Sequence, residues 1–184
     1  MKLGLESVRY TMREGHFEVA PQFHVSQALL CRYIFSNRDL LAGMAEALID
    51  YFELLERPAL LLDADSTSGI CLASLISGIL IRHSVRDFTE GQGPLRDRAY
   101  LILLPNLLTN DQIRQGVARL TTDGAFVAGV GAICDRRQHR GDVDGVKVWA
   151  PISLVAVGVN ADLDVESCLL CRDGEPLTQG LRVI

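Results

Sequence analysis

The sequence predicts an α/β fold in three layers, with a central, mostly parallel sheet covered by helices on both faces. Two strand–turn–helix units and one further strand carry that prediction. In the first unit, Ala59–Leu62 is a short apolar run, Asp63–Gly69 (DADSTSG) is a loop of small residues, and Ile70–Arg82 is an apolar helical stretch. In the second, Leu101–Leu104 is again a continuous apolar run, Pro105–Gln112 is a turn, and Ile113, Val117 and Leu120 recur at helical spacing. Ala125–Cys134 supplies another strand. Strands buried on both faces read as unbroken apolar runs, and strands alternating with helices are joined by right-handed crossovers.

The other elements follow in order. Met1–Arg13 has Leu5, Val8 and Met12 on one side of a short amphipathic helix, and Gly15–His24 (GHFEVAPQFH) leans towards β structure with Pro21 interrupting it. Ser36 and Asp39 have the spacing of a capping box ahead of a strong helical pattern over Leu40–Leu55, which Pro58 ends. Ser84–Arg98 is polar and rich in glycine and charge, long enough for a flap or an extended hairpin. Val146–Ala150 and Leu154–Val159 read as further strands, and the tail from Asp162 is polar and rich in turn residues.

A chain of 184 residues suits a single domain with a full core. No apolar run is long enough to span a bilayer and no signal peptide is evident, so a cytoplasmic protein is expected. The formal charge of −5 does not favour nucleic acid or an anionic membrane as partners. Of 18 basic residues only Lys2 and Lys147 are lysines, which leaves mid-chain chemistry without a mobile ammonium. Five cysteines, an odd number, fit free thiols in a reducing compartment. Cys168 and Cys171 form a lone CxxC, half of a zinc site at most, so no metal site is expected.

The order of motifs resembles the type I phosphoribosyltransferases, the orotate phosphoribosyltransferases in particular. Gly15-His16-Phe17 followed by His24 is similar to that family's GHF…SGxHS opening. Ala64–Gly69 with Ala73 falls where the family has its PETGGIPLA-like pyrophosphate loop. Leu101–Ile113 falls on the LLVEDVVTTGGS motif for phosphoribosyl pyrophosphate (PRPP), and Gly131–Gln138 (GAICDRRQ) resembles the VDRQ segment. Cys168–Leu177 (CLLCRDGEPL) is similar to a CPLC…G.PL tail found in some members. The resemblance implies one domain, with residues 1–35 and the C-terminal tail as hood or dimer elements and 84–98 as the flexible loop. It also implies a homodimer, a role in nucleotide metabolism, and a nucleotide or sugar-phosphate ligand.

The departures from the family pattern fall at the chemistry. Where the family has an acidic pair for the ribose hydroxyls this chain has Pro105 and Asn106, and where it has Thr-Thr-Gly-Gly for the 5′-phosphate it has Thr109, Asn110, Asp111 and Gln112. Losing both glycines removes the backbone freedom that a phosphate nest uses. Asp111 puts a carboxylate where helix N-termini favour phosphate, and Thr109 with Gln112 has the spacing of a capping box. Cys31 stands where the family has a base-contacting lysine, and the flexible loop keeps Arg86 but no lysine.

In the pyrophosphate-loop equivalent, Asp65, Ser66, Thr67, Ser68 and Gly69, the residues Thr67 and Gly69 retain part of the family pattern while Ser68 replaces a glycine. Phe17 could lie beside a planar base, and Arg136 matches the family arginine that approaches the orotate carboxylate. Asp135 with Arg136 also reads as a simple ion pair at a strand end. The leading expectation is a binding, regulatory or assembly subunit that has lost PRPP-dependent transfer. It has no cofactor, with Mg²⁺ entering only if PRPP binding is retained. The alternatives are a divergent transferase or lyase acting on a phosphorylated sugar or nucleotide, and a subunit whose old dimer surface joins a different partner protein.

Overall fold

The computed structural model describes residues 12–20, 23–29, 33, 36–54, 60–63, 85–87, 99–137, 141–153 and 168–179. An antiparallel hairpin of β1 (Met12–Ala20) and β2 (Phe23–Leu29) precedes helix α1 (Arg38–Tyr51). Then come β3 (Leu60–Asp63), β4 (Val85–Asp87), β5 (Ala99–Leu107), α2 (Asn110–Thr122) and β6 (Phe126–Asp135). Two short strands, β7 (Val148–Trp149) and β8 (Ile152–Ser153), and a single helical turn, α3 (Leu169–Arg172), complete the order. The six-stranded sheet runs β4-β3-β5-β6-β7 with β8 also paired to β6, and every pairing in it is parallel.

The two-residue alternation of a strand builds the layers. On β5, Leu101 and Leu103 face a core made with Met44, Leu48 and Phe52 at α1. Tyr100, Ile102 and Leu104 face the opposite core, where α2 contributes Ile113 and Leu120. Helices therefore cover both faces, as the apolar runs predict. On β6 the alternation includes glycine: a Cβ at Gly131 would lie 2.8 Å from Leu48 Cδ2 and 3.1 Å from Leu103 Cδ2. The missing side chain lets α1 sit against the sheet.

The helix ends show how the sequence sets boundaries. At α1 the N-cap is Asn37, in extended conformation, with its side-chain oxygen accepting the Leu40 N–H at 3.0 Å. Ser36, expected in that role, belongs to the preceding helical turn, where the Asn37 N–H donates to Tyr33 O. The C-terminus of α1 closes with the paired bonds of a Schellman motif, Leu54 N–H to Ile49 O and Glu53 N–H to Asp50 O. This places Glu53 at φ 54°. Helix α2 ends in the same pattern but supplies Gly124 at φ 80°.

Other boundaries differ from expectation. Met12 and Arg13 lie in β1 rather than in a first helix, because their backbone groups pair with Leu29 and Ala28. Val85–Asp87, within the expected flap, is a sheet strand beside β3. Val146 is part of a tight hairpin turn with Val143 around Asp144 and Gly145, both at positive φ, so the next strand starts later, at Val148. The expected helix over 70–82, the strand over 154–159, the loop over 64–69 and most of 84–98 lie outside the described residues. Among the described residues no helix is long and apolar enough to cross a membrane.

Candidate functional site

In an open parallel sheet ligands bind beyond the carboxyl ends of the strands, so the end of β5 and the start of α2 locate the candidate site. The connection there is shorter than the sequence implies. β5 continues through Pro105 and Asn106 to Leu107, held by pairing of Asn106 with Cys134 and of Leu107 with Asp135 on β6. The described pairing with β3 stops at Leu103, so Pro105 lies beyond it, where a missing N–H is tolerated. Only Leu108 and Thr109 separate strand from helix.

That connection satisfies its own backbone. The Gln112 side-chain oxygen accepts the N–H groups of Leu108 at 2.7 Å and Thr109 at 3.2 Å, while Thr109 Oγ1 accepts the Gln112 N–H at 3.3 Å. The reciprocal Thr109–Gln112 pair is the capping box its spacing predicts. Asp111 is exposed and pairs with Arg114 at 3.0 Å, and Arg114 also donates to Asp144 at 2.9 Å. These hydrogen bonds hold the Arg114 guanidinium, with its pKa raised above the ordinary value. Such solvated pairs contribute little to stability.

Beside the connection lie two buried arginines. Asp135 does not pair with Arg136: its carboxylate takes Arg137 in a fork, with Arg137 Nε at 3.0 Å from Oδ1 and Nη2 at 2.8 Å from Oδ2. The Arg137 backbone N–H adds a third bond to the same carboxylate. Arg137 Nη1 reaches Asn110 Oδ1 at 2.9 Å, which ties the first residue of α2 to the end of β6. Arg136 turns the other way, donating to Asn106 Oδ1 at 3.3 Å and to the Gln27 carbonyl on β2 at 3.0 Å. Burial pulls its pKa below the usual arginine value. Sequence reasoning missed Arg137, although residues two apart share a strand face and adjacent ones do not.

The structure thus gathers Asn106, Thr109, Asn110, Gln112 and Arg136 at one sheet end, with Asp111 on the exposed rim. Phe17 is 1% exposed and packs with Val25 and Ala28 inside the hairpin. Trp149 stacks on Tyr51 with ring centroids 5.1 Å apart. Cys31, residues 65–69 and the side chain of Arg86 lie outside the described residues.

A second polar cluster joins the hairpin to the tail. His16 on β1 and His24 on β2 meet Cys168 and Cys171 at α3, contrary to the expectation of a CxxC without histidines nearby. The register pairs Glu18 with His24, so His16 is the diagonal neighbour of His24 on one hairpin face. Nearby, the Thr178 N–H donates to the His16 carbonyl at 2.7 Å, and Gly15, at φ 153°, has no Cβ that would crowd Thr178 Oγ1.

No protein-family model matches the chain. The orotate phosphoribosyltransferase of Thermus thermophilus is 27% identical over 191 residues, covering 95% of this chain and 98% of that protein. Among solved structures, the orotate phosphoribosyltransferase of Aeropyrum pernix superposes with a TM-score of 0.65 at 14% identity, over 85% of this chain and 96% of that one. The chain has the fold of the type I phosphoribosyltransferases. Similar folds include Mycobacterium tuberculosis orotate phosphoribosyltransferase, solved with inorganic phosphate (TM-score 0.62, 14% identity, 85% and 96% covered). The adenine phosphoribosyltransferase of Rhodothermus marinus also aligns (TM-score 0.59, 16% identity, 82% and 98% covered). These low identities speak for the fold, and the Thermus relative adds the near full-length match in sequence.

Proposed function

We propose that this phosphoribosyltransferase-like chain does not perform ordinary PRPP-dependent transfer and acts as a binding, regulatory or assembly subunit. The observation that carries the reading is the self-satisfied connection between β5 and α2. A phosphate cradle needs backbone N–H groups free to face the ligand. Here Leu108, Thr109 and Gln112 already donate to side chains of the same connection. A phosphate would have to displace the Gln112 side chain and approach the Asp111 carboxylate. The ribose end is altered in the same sense, since Asn106 is engaged with Arg136 in place of an acidic pair.

Calorimetric titration of the purified full chain with PRPP and Mg²⁺, followed by a turnover assay with orotate, tests the proposal. Neither binding heat at micromolar PRPP nor nucleotide formation is expected. Micromolar binding, or turnover with orotate or another base, would overturn it. A variant carrying Pro105→Glu, Asn106→Asp, Asp111→Gly and Gln112→Gly is expected to gain PRPP affinity, because it restores both the acidic pair and the open amides.

A further inference from the structure

The cluster at His16, His24, Cys168 and Cys171 lies outside the phosphoribosyltransferase site and has the composition of a structural metal centre. Its four donor atoms all lie within 4.8 Å of one another. His16 Nε2 is 2.9 Å from His24 Nδ1, 3.4 Å from Cys171 Sγ and 3.6 Å from Cys168 Sγ, and His24 Nδ1 is 3.0 Å from Cys171 Sγ. Zinc bonds of about 2.3 Å to sulfur and about 2.0–2.1 Å to nitrogen give a tetrahedron with N···S edges near ~3.5 Å and N···N edges near ~3.3 Å. Two of the distances match those edges, and the two shorter ones need to open by only a few tenths of an ångström.

The surroundings fit the same chemistry. A metal-binding imidazole commonly donates its other ring N–H to a carbonyl, which fixes the tautomer and aims the lone pair. His16 Nδ1 is 2.7 Å from the Glu175 carbonyl oxygen, an acceptor only, so Nδ1 carries the proton and Nε2 is left as the ligand atom. His16, His24 and Cys168 are buried, and Cys171 is half-buried. Two thiolates and two neutral imidazoles around a divalent cation make a site of zero net charge, which suits such burial. With four protein ligands the coordination is closed, as in structural sites. A Rieske-type cluster does not fit, because it places its cysteines and histidines on different irons.

We propose that His16, His24, Cys168 and Cys171 bind one zinc-class divalent cation in a tetrahedral Cys2His2 site that fastens the C-terminal tail to the N-terminal hairpin. The ligands come from segments about 150 positions apart in sequence, so the ion closes nearly the whole described chain into a loop. Constraints that close long loops remove much unfolded-state entropy. The binding energy of such a site is also folding energy.

The test uses the full chain, reduced and handled without oxygen. Metal analysis after reconstitution with zinc and dialysis is expected to give one equivalent per chain. Cobalt(II) in its place is expected to give the strong visible bands of a tetrahedral ion together with thiolate-to-metal charge transfer. Cys171→Ser and His24→Gln are each expected to weaken zinc by more than about 100-fold, beyond the 10–100-fold typical of outer-shell changes. A chelator should lower Tm reversibly in the wild-type chain and have no effect on either variant. The wild-type cobalt spectrum decides the matter even if the variants do not fold. Substoichiometric zinc, or an octahedral spectrum without charge transfer, would overturn the proposal and leave a hydrogen-bonded His–Cys cluster.

Discussion

Replacing Gln112 with alanine tests the account of the β5–α2 connection most directly. Gln112 Oε1 serves two backbone donors, and one of them belongs to Leu108, which is buried at 7% exposure. Removing the acceptor strands that N–H away from water at a cost of about 1–3 kcal/mol. Thr109 sits nearer solvent and its N–H can turn to water, so it adds little. The expected loss is about 2 kcal/mol, which for a chain of this size is a fall in Tm of about 4–8 °C. Thr109→Ala removes a single cap bond of 3.3 Å and should cost less, about 1 kcal/mol. The two halves brace each other, so the double variant should lose less than the sum of the singles. Urea and thermal denaturation of the four proteins measure all of this. A Gln112→Ala change within 0.5 kcal/mol of zero, or smaller than that of Thr109→Ala, would refute the reasoning.

Two further substitutions probe features that hold the site in place. Glu53→Gly relieves a non-glycine residue from φ 54° at the end of α1 and should stabilise by about 0.5–1 kcal/mol in urea denaturation, while destabilisation would mean that the Glu53 side chain has an overlooked contact. Asp135→Asn leaves the buried Arg137 guanidinium without its carboxylate and should cost about 3–5 kcal/mol, with loss of soluble expression as the extreme outcome; near-wild-type stability would remove the fork from the account.

The physics of local patterns explains which parts of this architecture the sequence reveals. The short apolar run at Leu101–Leu104 marks a strand that a doubly covered sheet buries on both sides, and the Ala125–Cys134 run marks another that is buried from Gly129 onward. The Thr109–Gln112 box is legible because both partners lie within one helical turn. Features that depend on distant segments are not. The extension of β5 through Pro105 depends on pairing with β6, and the partner of Asp135 is settled by which face of the strand end turns inward. The histidine–cysteine cluster is the clearest case. His16 and His24 come together through hairpin register, and Cys168 and Cys171 arrive only when the tail docks, so spacing in the sequence finds two half-sites and nothing that joins them.

The closed connection also has a consequence for motion. The leading N–H groups of a helix ordinarily have no intrahelical acceptor and exchange freely with solvent. Around the start of α2 three donors, from Leu108, Thr109 and Gln112, are engaged by side chains, and the Asn110 side chain is tethered by Arg137 to the end of β6. Their hydrogens should therefore be released to deuterium only when the capping box opens, on the slow schedule of local unfolding rather than that of a loop awaiting a ligand.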